Sequence, residues 1–166
     1  MVLASLAAGI RPVRADGGTQ ANVSVCFVPS EVSCTNEIVA ALDNARSTIR
    51  VISYELTSHP IIVALANAHG RGVDVQIIAD KRNLSGPTAL ANLGIDVRYD
   101  DKVTLQHNKI IVIDRKLVIG GSFNHTFSAQ NHNGENVTFI WSDAIAEQFL
   151  AYFAAREKVS RPAIGQ

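Results

Sequence analysis

His107 and Lys109 stand two residues apart, so on an extended strand their side chains project from one face. Asp114 follows, and after an apolar run and a glycine pair come Ser122 and Asn124. The stretch reads H-x-K-x4-D-x6-G-S-x-N. An imidazole, an ammonium, a hydroxyl and a carboxamide gathered at one place suit a phosphodiester. Together they can neutralise its non-bridging oxygens, hydrogen-bond them and supply a nucleophile.

The elements that must hold these groups alternate strand and helix. Val23, Val25 and Phe27 alternate as a half-buried strand. Thr35 can cap a helix with Ile38, Ala41, Leu42 and Ala45 as its apolar stripe. Ile49 to Tyr54 reads as a strand, and His59-Pro60 opens a helix that Gly70 or Gly72 ends. Val73 to Ala79 is a strand buried on both faces, Pro87 to Leu93 a short helix closed by Gly94, and Ile95 to Tyr99 a strand. Strands Lys109–Ile113 and Leu117–Gly120 then form a hairpin, Asn136–Trp141 adds a strand, and a last helix starts at Ser142 or Asp143. That helix should bury Ile145, Phe149, Tyr152 and Phe153. The expected fold is α/β, with a mixed sheet carrying helices on both faces.

Hairpin register decides which polar groups meet. A two-residue turn at Arg115-Lys116 pairs Asp114 with Leu117 and sets Lys109 opposite Ser122 and His107 opposite Asn124. Opposed residues share a face, so the four groups converge. A three-residue loop would send Ser122 and Asn124 to the other face. The chemistry selects the convergent register, with an exit from the ladder at Gly120-Gly121 as the alternative. Asp114 has the opposite parity to His107 and Lys109, which suits it to holding the turn or nearby backbone.

One domain is what 166 residues make, and 47% apolar against 18% charged residues excludes a disordered chain. Formal net charge is zero, unlike the basic balance of most nucleic-acid binders. Affinity for a polyanion must therefore be local, from Lys81-Arg82, Lys102, Lys109 or Arg115-Lys116, each of which is otherwise a solvated turn. The apolar run Val2–Ile10 is too short to span a bilayer but has the length of a secretory core, with Ala15 as a small residue before Asp16. Against this, no basic residue precedes the run, and Arg11 and Arg14 follow it. Residues 1–15 are read as a signal peptide or disordered N-terminus and 16–166 as a single catalytic domain. Export places the chain in the periplasm or outside the cell, with the cytoplasm as the alternative. In an oxidising compartment Cys26 and Cys34 could close a ring worth at most ~3 kcal/mol; otherwise they are two packed thiols.

The His107-to-Asn124 run resembles the HKD signature of the phospholipase D superfamily, with every signature position filled. Asn133-Gly134-Glu135-Asn136 and the strand after it resemble the family's downstream acidic segment. The order of elements from Val23 to Phe153 is similar to the small single-motif bacterial nucleases of that superfamily. The resemblance implies a covalent mechanism: His107 attacks phosphorus, water hydrolyses the phosphohistidine, and a second histidine serves as acid and then base. It implies Glu135 as the acid that orients the imidazole, phosphate binding by Lys109, Ser122 and Asn124, a counted role for Asp114, and no metal or other cofactor. One motif supplies one histidine, so a homodimer with its site at the twofold axis is expected. His125 and His132 are the intramolecular alternative; His59 and His69 suit helix ends. The spacing of the five histidines does not read as a metal site. The expected substrate is DNA or RNA cut with little sequence preference. A phospholipid head group is the alternative, and a non-catalytic binding module is the alternative of another class. No stable membrane insertion is expected.

Overall fold

A computed structural model describes residues 13–14 and 20–163. Among them the strands form a nine-stranded sheet, ordered β1-β2-β8-β7-β6-β3-β4-β5-β9. These are β1 (Val13–Arg14), β2 (Gln20–Val28), β3 (Thr48–Ser53), β4 (Asp74–Asp80), β5 (Asp96–Asp100), β6 (Lys109–Ile113), β7 (Leu117–Gly121), β8 (Glu135–Trp141) and β9 (Arg161–Pro162). Strands β3, β4 and β5 run parallel and every other pairing is antiparallel. The helices are α1 (Cys34–Asp43), α2 (His59–Gly70), α3 (Ser85–Ala91), α4 (Phe127–Asn131) and α5 (Asp143–Glu157). The sheet is mixed and carries helices on both faces, as expected.

Alternation along the strands divides the core. Val51, Ile77, Ile111, Ile119 and Val137 point to one face, where α1 and α2 cover them through Ile38, Leu42, Ile61 and Leu65. Ile52, Ile78, Ile110, Val112 and Val118 point to the other, under Ala146 and Phe153 of α5. Both faces of β6 are therefore buried, which accounts for its unbroken apolar run. Cys26 on β2 and Cys34 at the start of α1 are joined as a disulfide, with Cα atoms 5.7 Å apart. No described helix is long and apolar enough to cross a membrane. Of residues 1–15, read as a leader, only Val13 and Arg14 lie within the description; they pair with Ala21 and Gln20.

Three local expectations are corrected. Ser33 caps α1, its hydroxyl accepting from the Asn36 amide at 3.3 Å, while Thr35 sits inside the helix and is buried. Helix α3 begins two residues earlier than expected, at Ser85, where Gly86 meets the Leu56 carbonyl so closely that no Cβ fits. Tyr152 is 42% exposed rather than buried, and its hydroxyl accepts from the Asn108 amide at 3.3 Å.

Candidate active site

The hairpin register is the main correction. Ile113 pairs with Leu117 and Ile110 with Gly120, so the connection spans the three residues 114–116. Asp114 and Arg115 both take left-handed backbone, φ 52° and 59°, and the Lys116 amide donates to the Ile113 carbonyl at 3.0 Å. Aspartate tolerates that conformation. Its carboxylate also holds the neighbouring backbone, accepting from the amides of Arg46, Ser47 and Thr48 at 2.7–2.9 Å and from the Ser47 hydroxyl at 2.8 Å. Burial alone would raise this carboxyl; the backbone donors outweigh it and hold Asp114 below the usual carboxylate range. Asp114 thus lies at the far end of β6 from Lys109, about 16 Å along the strand, and the structure does not bring it to the site.

On this register Ser122 is out of phase with Lys109, as a three-residue loop requires. What carries it toward the site is the exit from β7. Gly121 has φ 148°, and a Cβ there would stand 2.3 Å from the Asn136 carbonyl oxygen, so only glycine lets the two chains approach. Ser122 then donates to Glu135 Oε2 at 2.5 Å and accepts from the Asn136 amide at 3.1 Å. Glu135 also accepts from Asn133 Nδ2 at 2.8 Å.

His107 is exposed, and Lys109 beneath it is only 7% exposed. The Lys109 Nζ donates to the His107 carbonyl at 2.6 Å and lies 3.1 Å from Nδ1 of the same residue. A charged Lys109 makes Nδ1 an acceptor, so a neutral His107 ring carries its proton on Nε2. Burial pushes the Lys109 ammonium below its ordinary range, while the Glu55 and Glu135 carboxylates nearby hold it up. Glu135 therefore stands in the field of Lys109, but its hydrogen bonds within the chain go to Ser122 and Asn133, not to His107. Asn124 is half-buried, with Oδ1 buried and unbonded.

His125 is the second surprise. It is fully buried, and its Nδ1 lies 2.9 Å from Ser53 Oγ, the residue paired with Lys109 across β3 and β6. Ser53 spends its own proton on the Glu55 carbonyl at 2.9 Å, so the imidazole is the donor in that contact. Burial, then the charge on Lys109, lowers His125 to about 4, and it is neutral across the working range. A closed-off neutral ring is a poor general acid. His132 is exposed at the end of α4, edge-on to Phe127.

Several site neighbours gave no sequence signal. Tyr54 packs its ring 4.6 Å from that of His107, and its amide donates to the Asn108 carbonyl at 2.9 Å. Gln106, 1% exposed, anchors the residue before His107. Its amide donates to Asp80 Oδ2 at 2.8 Å, its Nε2 to Asp100 Oδ2 at 2.7 Å, and its Oε1 accepts from Asn108 Nδ2 at 2.6 Å. Arg156 of α5 grips Asp100 with two bonds of 2.7 Å. Burial opposes ionisation of Asp100, yet Arg156 and Gln106 hold its carboxyl below the usual range. Among the described residues no three His, Cys, Asp or Glu side chains are grouped to hold a metal ion.

Comparison with known proteins agrees with this fold. The family model described as "Cardiolipin synthase, PLD-like domain" matches residues 38–156. A phospholipase D of Rickettsia prowazekii is 39% identical over 146 residues, 86% of this chain and 71% of that protein. A mitochondrial cardiolipin hydrolase of Mus musculus is 32% identical over 132 residues, 77% of this chain and 60% of that one. The crystal structure of Nuc from Salmonella typhimurium, a phospholipase D family member, superimposes with a TM-score of 0.80 at 36% identity, over 86% of this chain and 97% of that one. A domain match over most of the chain, joined to a complete H-x-K motif with its lysine held on its histidine, has one meaning: the chain belongs to the phospholipase D superfamily and is a phosphodiester hydrolase.

Proposed function

We propose that this hydrolase is a metal-independent nuclease, cutting DNA or RNA with little sequence preference at a site completed by a second copy of the chain. The observation that carries the reading is His107 itself, exposed and set on a buried lysine at the rim of an uncovered sheet face. A groove of about 400 Å3 runs from His107 along Ile110, Gly120, Ile140 and Phe149. Beyond it Val25 and Phe27 of β2 stand uncovered, Phe27 at 62% exposure. An apolar face beside a half-built site suits a twofold partner.

The chemistry runs between the two copies. One His107 attacks phosphorus, a P–N bond forms and the P–O bond to the leaving group breaks. The other His107 gives the leaving oxygen its proton. Water then attacks phosphorus, passes a proton to that second imidazole, and the P–N bond breaks. The donor ring must be the imidazolium, with a proton on each nitrogen, so its Nδ1 has to give up the contact with Lys109. The attacking ring needs an acceptor at Nδ1, and Glu135, whose bonds within its own chain go to Ser122 and Asn133, is proposed to serve an imidazole brought by the second subunit. Lys109, Ser122 and Asn124 bind the phosphoryl oxygens. Asp114 acts on the backbone that carries β6. The disulfide favours an oxidising compartment, and we place the protein in the periplasm or outside the cell.

Degradation of plasmid DNA in excess EDTA, abolished by His107→Ala, tests the reading. Trapping a labelled phosphoenzyme at His107 tests the intermediate, and the mass in solution tests the dimer. The same apolar groove, with relatives named phospholipase D and cardiolipin hydrolase, favours one second reading, hydrolysis of a phospholipid. Head-group release from choline phospholipid vesicles without DNA cleavage would establish it in place of the first.

A further inference from the structure

A second cavity, of about 510 Å3, opens at the carboxyl ends of β3 and β4, where open α/β sheets receive ligands. Its wall runs from Tyr54 and Glu55 after β3, through Arg82, Asn83 and Ser85 after β4, to Ser128 on α4. Tyr54 belongs to both places. Its ring contacts His107 at 4.6 Å, and the Arg82 guanidinium carbon lies 5.9 Å from its centroid. A diester held at His107 therefore has room for one of its two ester substituents in this cavity.

The lining sorts the substituents that could enter. The Glu55 carboxylate opposes a second phosphate. The Arg82 guanidinium, already paired with Asp80 at 3.0 Å, contributes its flat face and spare N–H groups more than a free charge. Together they favour a neutral group with a flat face and mixed hydrogen-bonding edges. Asn83 adds an unmet demand. It is 8% exposed, and its amide nitrogen is buried without a hydrogen-bond partner. The carboxamide lies on the cavity wall, where a ligand edge carrying an acceptor could supply the missing partner.

We propose that this cavity is a nucleoside subsite. It takes the base and sugar on one side of the scissile phosphate, the base lying against the planes of Tyr54 and Arg82 and offering an acceptor to Asn83. Every base has a π-face and at least one acceptor, so the subsite grips nucleic acid without choosing its sequence. The assignment rests on the nuclease reading and narrows it.

Two substrates test it. Bis(p-nitrophenyl) phosphate carries no nucleoside, and thymidine 5′-p-nitrophenyl phosphate carries one. The expected result is a higher kcat/KM for the nucleoside ester, with the ratio of the two values falling at least fivefold in Asn83→Leu. Ser128→Trp, which fills the cavity from its exposed rim and leaves the core alone, gives the same fall if the buried substitution unfolds the protein. A ratio that holds within twofold in either folded variant overturns the proposal. Loss of hydrolysis of both esters by the unaltered protein would strike at the nuclease reading instead. The cavity is then read by equilibrium binding of thymidine 5′-monophosphate, which Asn83→Leu must weaken if the assignment stands. Stronger binding of phosphocholine than of the nucleotide assigns the cavity to a lipid head group and overturns the proposal.

Discussion

Replacing Gln106 with leucine isolates what the buried polar lock does for His107. The two residues have similar volume, so packing is nearly conserved. The substitution removes two side-chain hydrogen bonds, one to the Asp100 carboxylate at 2.7 Å and one from Asn108 at 2.6 Å. A bond to a charged group contributes about 1.5–3 kcal/mol and a neutral one about 1 kcal/mol. The backbone bond to Asp80 stays, and Arg156 still neutralises Asp100. The expected cost is roughly 2–4 kcal/mol, a fall of about 5–15 °C in Tm for a chain of this length. The catalytic cost is separate. His107 is the next residue in the chain, and a displacement on the order of 1 Å at a reacting group costs about a hundredfold in rate. Differential scanning calorimetry gives the first quantity, and kcat on bis(p-nitrophenyl) phosphate, measured well below the variant's Tm, gives the second. Gln106→Leu should lose at least tenfold in kcat with KM changed less than threefold. A folded variant with the expected Tm loss and an unaltered kcat would show that the lock supports the fold alone and that His107 is positioned by other means.

Other consequences are equally specific. His125 binds a proton more weakly folded than unfolded, so its contribution to stability is complete above pH 6.5 and is lost as pH falls toward 4, by about 3 kcal/mol in all; urea titrations across that window should show the loss, and His125→Phe should flatten it. Asp114 binds its proton more weakly folded as well, so its share of stability is present above the ordinary carboxylate range and lost as pH falls through its depressed folded value; Asp114→Asn should remove this acid limb below about pH 4 and lower Tm at pH 7. Gly121→Ala should cost roughly 2–4 kcal/mol by denaturant unfolding, because the new methyl has no room against the Asn136 carbonyl and the backbone disfavours it.

Much of the fold was legible because its signals are local. The run from Lys109 to Ile113 marked a strand, and β6 has those bounds. The gapped motif singled out His107 and Lys109, which the structure sets 3.1 Å apart, but it also counted Asp114, which holds backbone at the other end of β6. The register was not legible, because it turns on whether Asp114 or Arg115 opens the turn. That choice is made by three backbone amides near residue 47, more than sixty residues away. The lock behind His107 was hidden for the same reason. Gln106 reads as an ordinary loop residue until Asp100 and Arg156 are placed beside it, the latter from a helix fifty residues on. Tyr152 looked like core by periodicity, yet its hydroxyl reaches the loop beside His107. Local pattern locates elements; the partners that aim a reactive side chain are chosen by topology.

The bond from Lys109 to Nδ1 of His107 has a kinetic corollary under the proposed assembly. A lone copy keeps Nδ1 of its imidazole occupied by Lys109, so each copy is a latent half. Joining two halves must also exchange the neighbour at one ring nitrogen, which links association to tautomer. Turnover per molecule should then collapse on dilution well before any unfolding begins.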